Sequence, residues 1–171
     1  SFILANIYWK YFNVVMQYEI KQADKFRFIE EGEGQPLVLL HGLFGALSNF
    51  VDLVEYFKKH YKVVVPMLPL FELDILHTSV GGLAKFGNRF IEARNYRNVH
   101  RLGNSLGGHV ALIYVLKNPE RIKSIILTGS SGLFESAMGD TYPKRGDYDY
   151  IKKKTELTFY DPKIASKELV D

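Results

Sequence analysis

Gly103-Asn104-Ser105-Leu106-Gly107-Gly108 is the segment that most restricts how this chain folds. It joins the strand-like VHRL run, Val99 to Leu102, to a helix-like stretch from Leu106 to Lys117. The pattern G-x-S-x-G calls for a strand that reverses through a turn too sharp for side chains at Gly103 and Gly107, then passes at once into a helix. Such a turn thrusts Ser105 out at the carboxyl end of a sheet. It also sets the backbone N–H of Leu106 where it can point at negative charge developing beside the hydroxyl. A serine at a strand-helix junction has a plainer use as a helix N-cap. The flanking glycines, with Gly108 beyond them, favour a nucleophile.

The surrounding pattern predicts the sheet that such a turn needs. VVMQYEI from Val14 and KFRFIEEG read as an antiparallel hairpin with a turn at Ala23-Asp24. Leu37 to Leu40, Val63 to Val65, Val99 to Leu102 and Ile122 to Leu127 read as strands buried on both faces. Between them lie three expected helices. The first is capped by Ser48 or Asn49, with Phe50, Leu53, Val54 and Phe57 on its apolar face. The second spans Val80 to Asn95 and the third Leu106 to Lys117. Alternating strands and helices define an α/β fold, three-layered α/β/α with a mostly parallel sheet and the hairpin at one edge. After Gly132 the chain turns polar, Tyr-rich and Lys-rich, so residues 1–132 are read as the core and 133–171 as a separate segment.

Composition narrows the function classes. With 47% apolar residues the chain is globular rather than disordered, and 22 basic against 19 acidic residues give no pull toward nucleic acid or anionic membrane. The run Lys152-Lys153-Lys154 is expected to be a solvated helix face. Cysteine is absent, which excludes disulfides, thiolate metal sites and a cysteine nucleophile, and a reducing cytoplasm is the expected compartment. No apolar run approaches the ~20 residues of a membrane span. Neither G-x-G-x-x-G nor G-x-x-x-x-G-K-[ST] occurs, so no nucleotide cofactor is indicated. No metal or other cofactor is expected.

His41-Gly42-Leu43-Phe44-Gly45 closes the LVLL strand. With this segment and the Ser105 turn in order, the chain resembles the α/β-hydrolase superfamily, most closely its cofactor-independent esterase and carbon-carbon-bond hydrolase branches. The resemblance covers about Val14 to Leu133. It implies an oxyanion hole from the Leu43 and Leu106 amides, a structural His41 that orients its loop, and support from Gly42, Gly103, Asn104, Gly107 and Gly108. A haloalkane dehalogenase would carry aspartate where Ser105 stands.

In that family the catalytic acid and histidine follow the serine. After Ser105 the only histidine is His109, one helical turn on, where packing is the expected role. His60 and His100 are read as structural, and His77 sits on a loop at the carboxyl side of the sheet. Glu135 is the nearest acidic candidate, with Asp140, Asp147 and Asp149 further along. The expectation is therefore a chain truncated at the start of a helical cap, residues 133–171, with later strands, acid and histidine absent. Arg101, charged inside a doubly covered strand, is assigned to a tolerant edge position or a decayed copy. The implied parent is an enzyme forming an acyl-enzyme on Ser105 with a small acyl substrate. A non-catalytic binding module and a carbon-carbon bond hydrolase are the alternatives. Apolar surface left by missing strands is expected to favour a homo-oligomer or a complementing C-terminal chain.

Overall fold

The computed structural model describes residues 18–42, 47–69 and 79–133, with 149 and 152. The chain divides into two compact units, Ser1–Phe134 and Glu135–Asp171. In the second, Asp149 and Lys152 are helical.

The first unit is built on one sheet. Strand β1 (Lys21–Ala23) pairs antiparallel with β2 (Phe26–Glu31), the chain reversing at Asp24 with φ 53°. Strand β3 is Pro36–Leu40 and β4 is Lys62–Pro66. Strand β5 is Val99–Asn104 and β6 is Ile122–Thr128. The order is β1-β2-β4-β3-β5-β6; the β2–β4 pair is antiparallel, whereas β3–β4, β3–β5 and β5–β6 are parallel. A mostly parallel sheet with an antiparallel hairpin at one edge matches the expected class.

Continuous apolar runs suit this sheet because successive side chains enter opposite cores. Val38, Leu40, Val64 and Val99 pack on one face with Phe90 and Ile91 of helix α2 (Val80–Ala93) and with Val110 and Ala111 of α3 (Leu106–Lys117). Leu37, Leu39, Val63 and Leu102 pack on the other face with Val54 of α1 (Val51–Phe57). Ser79 caps α2 by accepting the Gly82 N–H at 3.0 Å.

Three local expectations change. The first strand is shorter than the VVMQYEI pattern predicts: Val14 to Gln17 lie outside the described residues, and Tyr18 to Ile20 are not extended strand. Tyr18 instead packs into the α1-side core and donates to Glu55 Oε1 at 2.5 Å. Neither Ser48 nor Asn49 caps α1. A 3-10 turn, Leu47–Phe50, runs directly into it, Phe50 holds the cap position, and no side-chain cap bond forms. Tighter turns of this kind take up part of the unpaired backbone at a helix end.

Arg101 is the third. It is not at an edge, because β5 lies between β3 and β6, with Val38 and Ile125 opposite Arg101. It is 1% exposed, and its guanidinium lies over the Tyr114 ring at 3.4 Å. Nε and both terminal nitrogens lack hydrogen-bond partners, and burial pushes the pKa down to about 10. At neutral pH this is a buried cation compensated by an aromatic face. Cation–π contact recovers ~2 kcal/mol when desolvated, less than the several kcal/mol that burying an unpaired ion costs. Arg101→Met is therefore expected to raise stability by about 1–4 kcal/mol. Urea denaturation checks this, and a lower midpoint for the variant would sink it.

Candidate active site

The site forms where β3 and β5 end side by side, Leu40 opposite Gly103. Ser105 follows β5 directly, with φ 53° and ψ −119°. A non-glycine residue at positive φ in such a place costs ~1–3 kcal/mol and persists only where its surroundings hold it. Here the Ser105 N–H donates to Thr128 O at 3.0 Å, and Ser105 O accepts from the N–H groups of Gly108 at 3.0 Å and Ser131 at 3.3 Å. The Asn104 amide donates to Thr128 O and Oγ1, both at 3.1 Å, tying the same turn to the end of β6.

Glycine is needed around this turn for room. A Cβ on Gly103 would stand 2.5 Å from Gly107 O, and one on Gly107 would stand 2.1 Å from Leu40 O. Helix α3 thus leaves the turn pressed against the backbone of both strands.

Ser105 occupies the N-cap position of α3, yet its side chain makes no capping hydrogen bond. The residue is exposed, so the hydroxyl is presented outward rather than spent on the helix. Leu106 opens α3, and the first N–H groups of a helix have no acceptor within it. Gly42 lies across from the serine: a Cβ there would come within 2.9 Å of Ser105 Cβ and 3.4 Å of Oγ. Gly42→Ala is expected to displace the hydroxyl and slow any reaction at it by ~100-fold, with folding retained. The rate of covalent labelling at Ser105 measures this, and an unchanged rate would contradict the placement.

His41 is committed elsewhere. Burial lowers its pKa despite the bond to Gly42, so the neutral ring donates from Nδ1 to Gly42 O at 2.9 Å and accepts the Leu68 N–H at Nε2, 3.3 Å away. Both ring nitrogens hold loops at the carboxyl end of the sheet. His100 Nδ1 is 2.7 Å from Ser124 Oγ on β6, and burial, followed by the Lys123 charge, lowers its pKa. The His109 ring packs over Gly132, whose added Cβ would fall 2.5 Å from it. His60 is exposed in the turn after α1.

Among the described residues no histidine or carboxylate therefore hydrogen-bonds the Ser105 hydroxyl. Leu43, Phe44, Gly45, His77, Glu135, Asp140 and Asp147 lie outside the described residues. Asp149 is exposed in the second unit. No group of three or more metal-ligating side chains occurs among the described residues. No described helix is long and apolar enough to cross a membrane. The sequence reading missed Leu68 as the partner of His41 and Thr128 as the anchor of the turn. The only signal for the latter was the run of small polar residues, TGSS, closing β6.

Residues 35–158 match the sequence model of the alpha/beta hydrolase fold. With this sheet and turn, the chain belongs to that family. A solved alpha/beta hydrolase from the sediment metagenome of the Mar Chica lagoon, Morocco, is 38% identical, with TM-score 0.65 over 89% of this chain and 65% of its own. Lipase 1 of Psychrobacter immobilis is 23% identical over 88% of this chain and 56% of its own length. The 2-hydroxy-6-oxo-6-(2'-aminophenyl)hexa-2,4-dienoic acid hydrolase of Metapseudomonas resinovorans is 30% identical over 74% of this chain and 46% of its own length. The chain thus spans about half the length of these curated relatives.

Proposed function

We propose that Ser105 is the nucleophile of a serine hydrolase acting on an ester. The observation that carries this reading is a strained serine at the N-cap position whose hydroxyl caps nothing. Family membership and the likeness to a lipase support it.

In this reaction Ser105 Oγ attacks the ester carbonyl carbon as its proton passes to a histidine base. The Leu106 and Leu43 amides hold the resulting oxyanion. Collapse breaks the bond to the alcohol, which leaves with the proton from histidine. Water, deprotonated by the same base, then releases the acid and restores Ser105. His41 ties Gly42 to Leu68, and the close-packed glycines hold the Ser105 turn against the end of β3. The base and its orienting acid come from outside the described residues.

A carbon-carbon bond hydrolase using the same serine is the second reading, favoured by the likeness to the Metapseudomonas resinovorans enzyme. Assays of the gene product on p-nitrophenyl esters and on a 2-hydroxy-6-oxodienoate separate the two. Ester turnover lost in Ser105→Ala is the expected result; turnover of the dienoate alone would assign the second reading.

A further inference from the structure

Tyr114 lies about 13 Å further along α3 than Ser105, at the helical rise of about 1.5 Å per residue. It is 1% exposed, and its hydroxyl has no hydrogen-bond partner. It lines an open cleft of about 620 Å³ between α2 and α3, together with Ser79, Lys85, Asn88, Lys117 and Asn118.

Asn88 brings a second unpaired atom to the cleft. Its Nδ2 donates to Glu92 Oε1 at 3.3 Å, which fixes the orientation of the amide and leaves Oδ1 buried without a donor. Lys85 and Lys117 are exposed, and no carboxylate is among the described lining residues. The Arg101 guanidinium lies over the Tyr114 ring at 3.4 Å. The residues lining the cleft thus carry two exposed ammonium groups, a buried phenolic donor and a buried amide acceptor, and a third positive charge lies over the phenol ring.

Each buried polar atom without a partner carries a desolvation cost that a matching ligand removes. A neutral ligand leaves the lysine charge unmatched. A simple carboxylate suits the lysines and the phenol but brings no donor to Asn88. Phosphate has the charge and the several acceptor oxygens that lysine ammonium groups favour. A hydroxyl on its organic part supplies the missing donor.

We propose that the α2–α3 cleft binds a small hydroxylated phosphate monoester, with Lys85, Lys117 and the Tyr114 hydroxyl on the phosphate and Asn88 Oδ1 accepting from the ligand hydroxyl. The site is separate from Ser105 and does not depend on its chemistry.

Calorimetric titration of the protein with glycerol 2-phosphate, inorganic phosphate and glycerol tests this. Saturable binding of glycerol 2-phosphate, tighter than that of inorganic phosphate, is expected, with none for glycerol. Tyr114→Phe keeps the ring against Arg101 and is expected to weaken binding about tenfold or more. Lys85→Gln, an exposed change that leaves the core intact, is expected to weaken it as well. No saturation, or unchanged affinity in both variants, overturns the site. Equal affinity for inorganic phosphate and the monoester overturns the hydroxylated ligand.

Discussion

Ser105→Ala is expected to lower ester hydrolysis by the gene product by about 10⁶-fold, the scale seen when a serine hydrolase loses its nucleophile. Stability should hardly change. The Ser105 hydroxyl makes no capping bond, so alanine forfeits none. Both residues carry a Cβ and pay alike for φ 53°. Ser105→Gly should be equally inactive but more stable by about 1 kcal/mol or more, because glycine accepts that backbone without strain. Activity and melting temperature of the two variants separate these effects. A variant that lost activity only in proportion to unfolding would show that Ser105 serves packing and not chemistry.

The second large effect falls on stability. Gly107→Ala places a Cβ 2.1 Å from Leu40 O and 2.7 Å from His41 O. Both are backbone atoms at the end of β3, and neither can rotate away. Helix α3 must lift off the sheet, loosening Val110 and Ala111 in the core they share with Val38 and Leu40. A loss of about 4 kcal/mol or more is expected, at the upper end of single-residue effects. Gly87→Ala is the control: it lies inside α2 with no atom within 4 Å of the added Cβ. There alanine should stabilise the helix by about 1 kcal/mol or less. Denaturant titration of both variants gives the comparison, and a loss below 1 kcal/mol at Gly107 would contradict the close contact.

The legible parts of this fold are those where a single local rule decides. Leu37 to Leu40 and Val63 to Val65 are apolar on both faces, which only a covered strand permits. The turn at Ser105 was legible because a steric requirement leaves glycine as the only residue that fits at Gly103 and Gly107. What escaped depends on partners far away in sequence. Tyr18 leaves the strand pattern because Glu55 waits on α1. His41 acquires its second anchor from the Leu68 amide. Arg101 sits in a central strand because Tyr114 offers it an aromatic face, a contact that no periodicity reveals. The helix α1 start was misread because a 3-10 turn replaced side-chain capping. Leu43, the other amide implied for the oxyanion hole, lies outside the described residues.

The most direct measurement is to treat the gene product with a fluorophosphonate, which bonds to an activated serine, and to map the adduct by mass spectrometry. A nucleophilic Ser105 gives one adduct, on the peptide that carries it, and none in Ser105→Ala. An adduct on another serine, such as the His100-bonded Ser124, or an active ester hydrolase unmarked at Ser105, would contradict it.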